Sequence, residues 1–141
     1  FLRYVEIAIR ELFAFGPDDL TIPADGVATA GRPLLVAIAN SRQYGNGATI
    51  APNARIDDGR LDVVVVAHRP PLLTLLQAPR LFTGRVDRVP GVTSVTAARV
   101  TITSARPIRF HVDGEPCTGG TTLTATVHPG ALRIRVAEKM R

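Results

Sequence analysis

Apolar residues change their spacing along this chain, and each change marks an element. Leu2, Val5, Ile9 and Leu12 recur at helical intervals, Arg3, Glu6, Arg10 and Glu11 fall largely on the other side, and Gly16-Pro17 supplies a stop. The spacing predicts an amphipathic helix at the start of the chain. Leu20 to Ile22, Val27 to Ala30 and Leu34 to Ala39 are then short runs parted by Ala24-Asp25-Gly26 and Gly31-Arg32-Pro33, which read as strands and turns. Leu61 to His68 holds four consecutive valines, the pattern of a strand buried on both faces or nearly so. Leu72, Leu73, Leu75, Leu76, Leu81 and Phe82 form a second helical segment, disturbed by Pro79 and ending at Gly84.

Beyond Pro90-Gly91 the period is two. Val100 and Ile102 oppose Thr101 and Thr103; Ile108, Phe110 and Val112 oppose Arg109, His111 and Asp113; Leu123, Ala125 and Val127 oppose Thr122, Thr124 and Thr126; Leu132, Ile134 and Val136 oppose Arg133 and Arg135. Many short strands with glycine and proline turns predict a mainly β fold, a two-sheet antiparallel β-sandwich with an N-terminal helix and one further short helix.

One interval fits neither period. From Asn40 to Asp62 the chain spends over twenty residues on turn chemistry between two strands, far more than a connection in a compact domain needs. Ile50, Ile56 and Leu61 are placed to pin this loop to a core, and Gly45, Gly47 and Gly59 sit where backbone freedom or close approach is needed. Such a loop is expected to be functional.

Length and charge narrow the classes. A chain of 141 residues builds one domain, and 45% hydrophobic residues with a mean hydropathy of +0.15 set it apart from disordered sequences. No apolar run is long enough to span a bilayer, and nothing at Phe1 resembles a signal peptide. Phe1 opens directly into the helical pattern without an initiator methionine, so a piece of a longer protein is expected. The single cysteine, Cys117, excludes an intrachain disulfide and reads as packed, because nothing in sequence ties His68, His111 or His128 to it as a base. The net charge is +5 and Lys139 is the sole lysine, so the remaining cations are arginines, which suit phosphate and anionic surfaces. Nucleic acid is disfavoured: only 5% of residues are aromatic, none is tryptophan, and the arginines are scattered.

Two acidic turns carry the candidate chemistry. Asp57-Asp58-Gly59 places carboxylates beside exposed carbonyls, the oxygen ligands that hard cations take, although an Asx turn would use the same residues. Phe110-His111-Val112 runs into Asp113-Gly114-Glu115-Pro116, where Gly114 makes the turn and Pro116 stiffens it, so that Glu115 projects from a rigid corner. A carboxylate held there can act as a general base, and Asp-Gly is equally an ordinary hairpin signal.

Together, the run NSRQYGNGATIAPNARIDDGRLDVVVV and the later FHVDGEP resemble the carboxyl-terminal domain of the diacylglycerol kinase and sphingosine kinase family, in particular its bacterial soluble lipid kinases, over essentially the whole chain. The resemblance implies a two-domain enzyme that moves the γ-phosphoryl group of ATP to a lipid hydroxyl. Residues 1–141 would be the acceptor-side domain, with the nucleotide-binding domain amino-terminal to it and ATP bound mainly there. Gly119-Gly120-Thr121-Thr122 lacks the acidic residue of the nucleotide motif. Carried over, the glutamate of the Asp-Gly-Glu motif falls on Glu115 as the base, and a structural Mg²⁺ site falls on the Asp58 carboxylate with the main-chain oxygens of Arg55 and Arg60. Asn40 to Gly47 matches the family's glycine-containing loop near the interdomain cleft and departs from it at Gln43 and Asn46. The resemblance further implies a cytoplasmic enzyme at the inner membrane surface, a lipid acceptor, the other domain in cis, and a homo-oligomer as an open option. The isolated chain is expected to be inactive. Against this stand a noncatalytic β-sandwich that binds an anionic ligand or partner, and a related kinase with a soluble acceptor such as NAD.

Overall fold

The computed structural model describes residues 6, 10–14, 16–24, 27–45, 47–133 and 135. Residues 10–14 are helical; the rest of the opening helix's apolar stripe, Leu2, Val5 and Ile9, lies outside the described residues. The strands are β1 (Leu20–Ala24), β2 (Val27–Gly31), β3 (Pro33–Ala39), β4 (Gln43–Tyr44), β5 (Ala48–Thr49), β6 (Leu61–Ala67), β7 (Val92–Ala97), β8 (Arg99–Ser104), β9 (Arg109–Val112), β10 (Glu115–Thr118) and β11 (Thr122–Thr126). Between β6 and β7 come α1 (Pro71–Gln77), α2 (Pro79–Phe82) and a 3-10 turn at Val86–Arg88.

Two antiparallel sheets form the sandwich, a four-stranded one in the order β11-β8-β1-β2 and a three-stranded one in the order β3-β6-β7. Ile22, Val63, Ala97, Val100 and Ile102 are buried together between them, one apolar face from each sheet. The chain passes from the three-stranded to the four-stranded sheet across a single residue, Ala98, between β7 and β8. Each sheet hides its inner face in this way.

The valine run of β6 has a physical reason. As the central strand of its sheet, β6 turns Val63 into the sandwich, and Val64 packs on the other face with Ile50, Ala51 and Ala54 of the long loop. Both valines are at most 1% exposed. The loop therefore acts as a third layer over the outer face of this sheet, with Leu81 of α2 packed against the same cluster. Ile50 and Leu61 pin it as expected, whereas Ile56 is 68% exposed and pins nothing. Gly45, Gly47 and Gly59 all take positive φ, at 57°, 87° and 69°.

The second helical segment divides where Pro79 removes a backbone donor, α1 closing at Ala78 and α2 beginning there, and Gly84 at φ 64° ends it. Three details differ from the sequence pattern. Strand β7, Val-Thr-Ser-Val-Thr-Ala, has no period-two signal in the sequence, since its two valines, Val92 and Val95, fall on opposite faces of the strand. Alternation over Leu132 to Val136 predicts a strand, yet residues 131–133 and 135 are not in one, and Ile134 and Val136 lie outside the described residues. Val112, on the apolar side of its alternation, is 56% exposed, because β9 belongs to a separate ribbon with β10 rather than to either large sheet.

Candidate functional site

The long loop and the Asp-Gly-Glu segment each fold into a two-stranded ribbon, β4–β5 and β9–β10, apart from the ladders of the sandwich. In the second ribbon Val112 pairs with Glu115 across Asp113 and Gly114, whose φ angles are 49° and 96°. Two positive φ values at the central positions define a type I′ turn, which asparagine or aspartate followed by glycine adopts at least cost. Backbone bonds from Ile108 to Gly120 and from Gly119 to Ile108, at 3.0 and 2.9 Å, hold the base of the ribbon. The sequence thus fixes a short, stiff hairpin with Glu115 as the first residue after its tip.

Strand register puts Glu115 on the face of Val112, Phe110 and Cys117, and His111 with Pro116 on the opposite face. Glu115 is exposed, and among the described residues no arginine or other group is ion-paired to its carboxylate. Its backbone carbonyl accepts the Cys117 thiol at 3.6 Å, a structural use of that cysteine.

From the other face the hairpin is held. Tyr44 Oη and His111 Nε2 are hydrogen-bonded at 2.7 Å, and their rings lie 5.5 Å apart, tilted by 50°. This contact spans 67 positions of sequence and joins the two ribbons. Gln43, where the loop departs from the resembled family, donates its side-chain amide to the Gly45 carbonyl at 2.9 Å and so braces the turn beside Tyr44. Asn46 lies outside the described residues. No sequence signal pointed to the Tyr44–His111 pair: alternation placed His111 on a polar face and nothing more.

At the other acidic turn, the Arg60 N–H donates to Asp58 Oδ1 at 2.9 Å, closing an Asx turn, and Arg55 Nε donates to Asp57 Oδ1 at 3.3 Å. The side chain of Arg60 reaches Thr96 on β7, bonding its Oγ1 at 3.1 Å and its carbonyl at 3.0 Å, so that the turn is fastened to the sheet. Two residues on, Asp62 is 4% exposed at the head of β6. Burial raises its carboxyl above the ordinary 3.8, and the Asp58 charge raises it further. Asp62 also lines a cavity of about 20 Å³ with Asn53, Asp87 and Ser94, room for one water-sized occupant. Sequence reasoning passed over Asp62, although a carboxylate inside a strand otherwise buried on both faces was a visible signal.

The donors at this turn are all oxygens, and among the described residues no group of three His, Cys, Asp or Glu side chains is assembled for a metal. That chemistry suits a hard ion held by few carboxylates with carbonyls and water. A separate cleft of about 220 Å³ opens between the sheets, lined by Leu20, Ile22, Val65 and Ala67, with Arg32 at its edge bonding the Pro17 carbonyl at 3.1 and 2.9 Å.

Comparison with known proteins places these features. Residues 1–136 match the family described as the YegS C-terminal NAD kinase beta sandwich-like domain. A protein of Salmonella newport named "Probable lipid kinase YegS" is 32% identical over 137 residues, 96% of this chain and 44% of that protein. A "Probable lipid kinase YegS-like" protein of Yersinia enterocolitica is 31% identical over 119 residues, 84% of this chain and 38% of that protein. The chain spans less than half the length of these relatives. Among solved structures, a diacylglycerol kinase from Bacillus anthracis aligns with a TM-score of 0.53 at 18% identity over 88% of this chain and 47% of its own. A second chain from that organism reaches 0.62 at 20% identity over 89% of this chain and 47% of its own. At such identities the likeness is one of fold.

Proposed function

Because this chain belongs to the family of YegS C-terminal domains, the carboxyl-terminal domains of lipid kinases, we propose that it supplies the acceptor side and the general base of an ATP-dependent kinase acting on a lipid hydroxyl. The observation that carries this reading is the hairpin: a glutamate presented from a type I′ tip, braced from behind by Tyr44 and His111, with its carboxylate unclaimed by any described cation. A noncatalytic reading would gain support from an arginine paired with Glu115, and among the described residues there is none.

As the lipid hydroxyl oxygen attacks the γ-phosphorus of ATP, its proton passes to a Glu115 carboxylate oxygen, the P–O bond to the β-phosphate breaks, and ADP leaves. Protein groups in such a transfer mainly position reactants and offset charge. The Tyr44–His111 bond serves that end by fixing the hairpin against the glycine-containing loop. Asp58, with the Arg55 and Arg60 carbonyls, would hold Mg²⁺, which when bound supplies positive charge and order to the turn. The acceptor is a diacylglycerol or a related lipid, and nucleotide is bound chiefly by the amino-terminal half in cis. Such an enzyme works at the inner surface of the membrane.

The test uses the full-length protein. Glu115→Gln keeps size and turn geometry while removing basicity, so kcat is expected to fall about 10²–10⁴-fold at saturating lipid and ATP, with unchanged folding. Near-normal turnover in this variant would remove Glu115 from the mechanism.

A further inference from the structure

A helix in a globular domain ordinarily turns its apolar stripe inward. Here α1 does the reverse. Leu72 and Leu76, one turn apart on a single face, are 66% and 67% exposed, while Thr74, Leu75 and Gln77 face the protein and are half-buried. In α2, Leu81 anchors the helix on the Ile50, Ala51 and Ala54 cluster, which leaves Phe82 outward and 66% exposed.

The charge beside this patch is mainly positive. Between Asp62 and Asp87 the sequence has no acidic residue, and Arg80 and Arg85 stand exposed next to Phe82. Their backbones are joined by the Arg85 N–H donating to the Arg80 carbonyl at 3.1 Å, and the Arg88 N–H donates to the Arg85 carbonyl at the same distance. Arg80 and Arg85 thus border the apolar surface, while Arg88 shares its 3-10 turn with the exposed Asp87.

We propose that the outer face of α1 and α2 docks on the surface of an anionic lipid bilayer, Leu72, Leu76 and Phe82 entering the acyl boundary and Arg80 and Arg85 meeting lipid phosphates. Outward leucine and phenylalanine with a cationic border are the composition of an interfacial helix, and the apolar and electrostatic contributions to binding add. An acidic protein partner would fit the arginines and leave the leucines unexplained. Seven and four residues are far too few to cross a bilayer, and no described helix is long and apolar enough to do so, so the insertion is shallow and reversible.

The position of the patch gives docking a consequence that rests on the kinase reading. Helix α2 packs on β5, β5 pairs with β4, and Tyr44 of β4 holds the hairpin that carries Glu115. Seating the helices on the bilayer would bring that hairpin to the surface where a lipid hydroxyl resides.

The full-length protein, sedimented with vesicles of phosphatidylcholine with and without phosphatidylglycerol, tests this. Binding is expected only where phosphatidylglycerol is present and is expected to fall at high salt. Leu72→Glu with Leu76→Glu should weaken it at least about ten-fold, and Arg80→Ala or Arg85→Ala about five-fold each. Both leucines are exposed, so circular dichroism should show these variants folded. No binding by the parent protein, as when another part of the polypeptide covers the patch, overturns the proposal. So does unchanged binding by the double variant. If the double variant instead converts a dimer to a monomer with vesicle binding intact, the face meets a second copy and the proposal fails. Glu115→Gln should bind vesicles as the parent does, so an error about the base and an error about docking are seen separately.

Discussion

Asp62 holds the sharpest conflict at the scale of a residue. A carboxylate 4% exposed, with the Asp58 charge close by, is stabilised in its neutral form, and its folded pKa lies above the 3.8 of the unfolded chain. The folded state therefore holds this proton more tightly than the unfolded one, and its contribution to stability is fully present below pH 3.8 and is lost as the pH rises through the raised value. Asp62→Asn removes the titration and keeps the shape. In a chelator, denaturant unfolding across the acid range should show the asparagine variant gaining on the parent as the pH rises above 3.8, then holding a constant advantage. Parallel stability curves would mean that Asp62 is not strained by charge. Why sequence reasoning chose Asp58 over Asp62 is clear: turn chemistry is local and visible in a few letters, whereas burial is decided by Ile50, Ala51 and Ala54 closing over the strand from the far side.

At the scale of elements, the Asp-Gly-Glu hairpin and the four-valine strand were legible because each obeys a short-range rule. Asp113-Gly114 specifies its turn through φ alone, and the valines specify a strand with two apolar neighbours. Strand β7 was not legible, since its pattern of two valines among threonine, serine and alanine gains a meaning only from pairing with β6. The hairpin makes a prediction of its own. Gly114 sits at φ 96° with open space where a Cβ would stand, so Gly114→Ala meets backbone strain and no clash. It is expected to cost about 1–2 kcal/mol and to lower turnover of the full-length enzyme by moving Glu115. Gly120→Ala, also in open space and without a positive φ, is the control and should change neither. Denaturant unfolding and kinetics of both variants check this, and equal effects would deny the turn its special conformation.

At the scale of the whole molecule, less than half of each relative's length is represented, and the chemistry proposed for Glu115 needs a nucleotide brought from elsewhere. Residues 1–141 alone are expected to show no ATP-dependent phosphorylation of diacylglycerol, and joining them to the amino-terminal half should restore it; radiolabelled phosphate transfer by the isolated chain would defeat the two-domain scheme. The sequence by itself determined the class of fold, the broken helical segment, the acidic turns and the family, because periodicity, glycine and proline placement and ordered motifs act over a few residues. Tertiary structure alone decided that the long loop is a third layer over β6, that Asp62 lies beneath it, that Tyr44 meets His111 behind the hairpin, and that α1 shows its leucines to the outside. Each of these depends on which surfaces meet across tens of residues, and a linear pattern of apolar and polar positions says which faces need cover without saying what covers them.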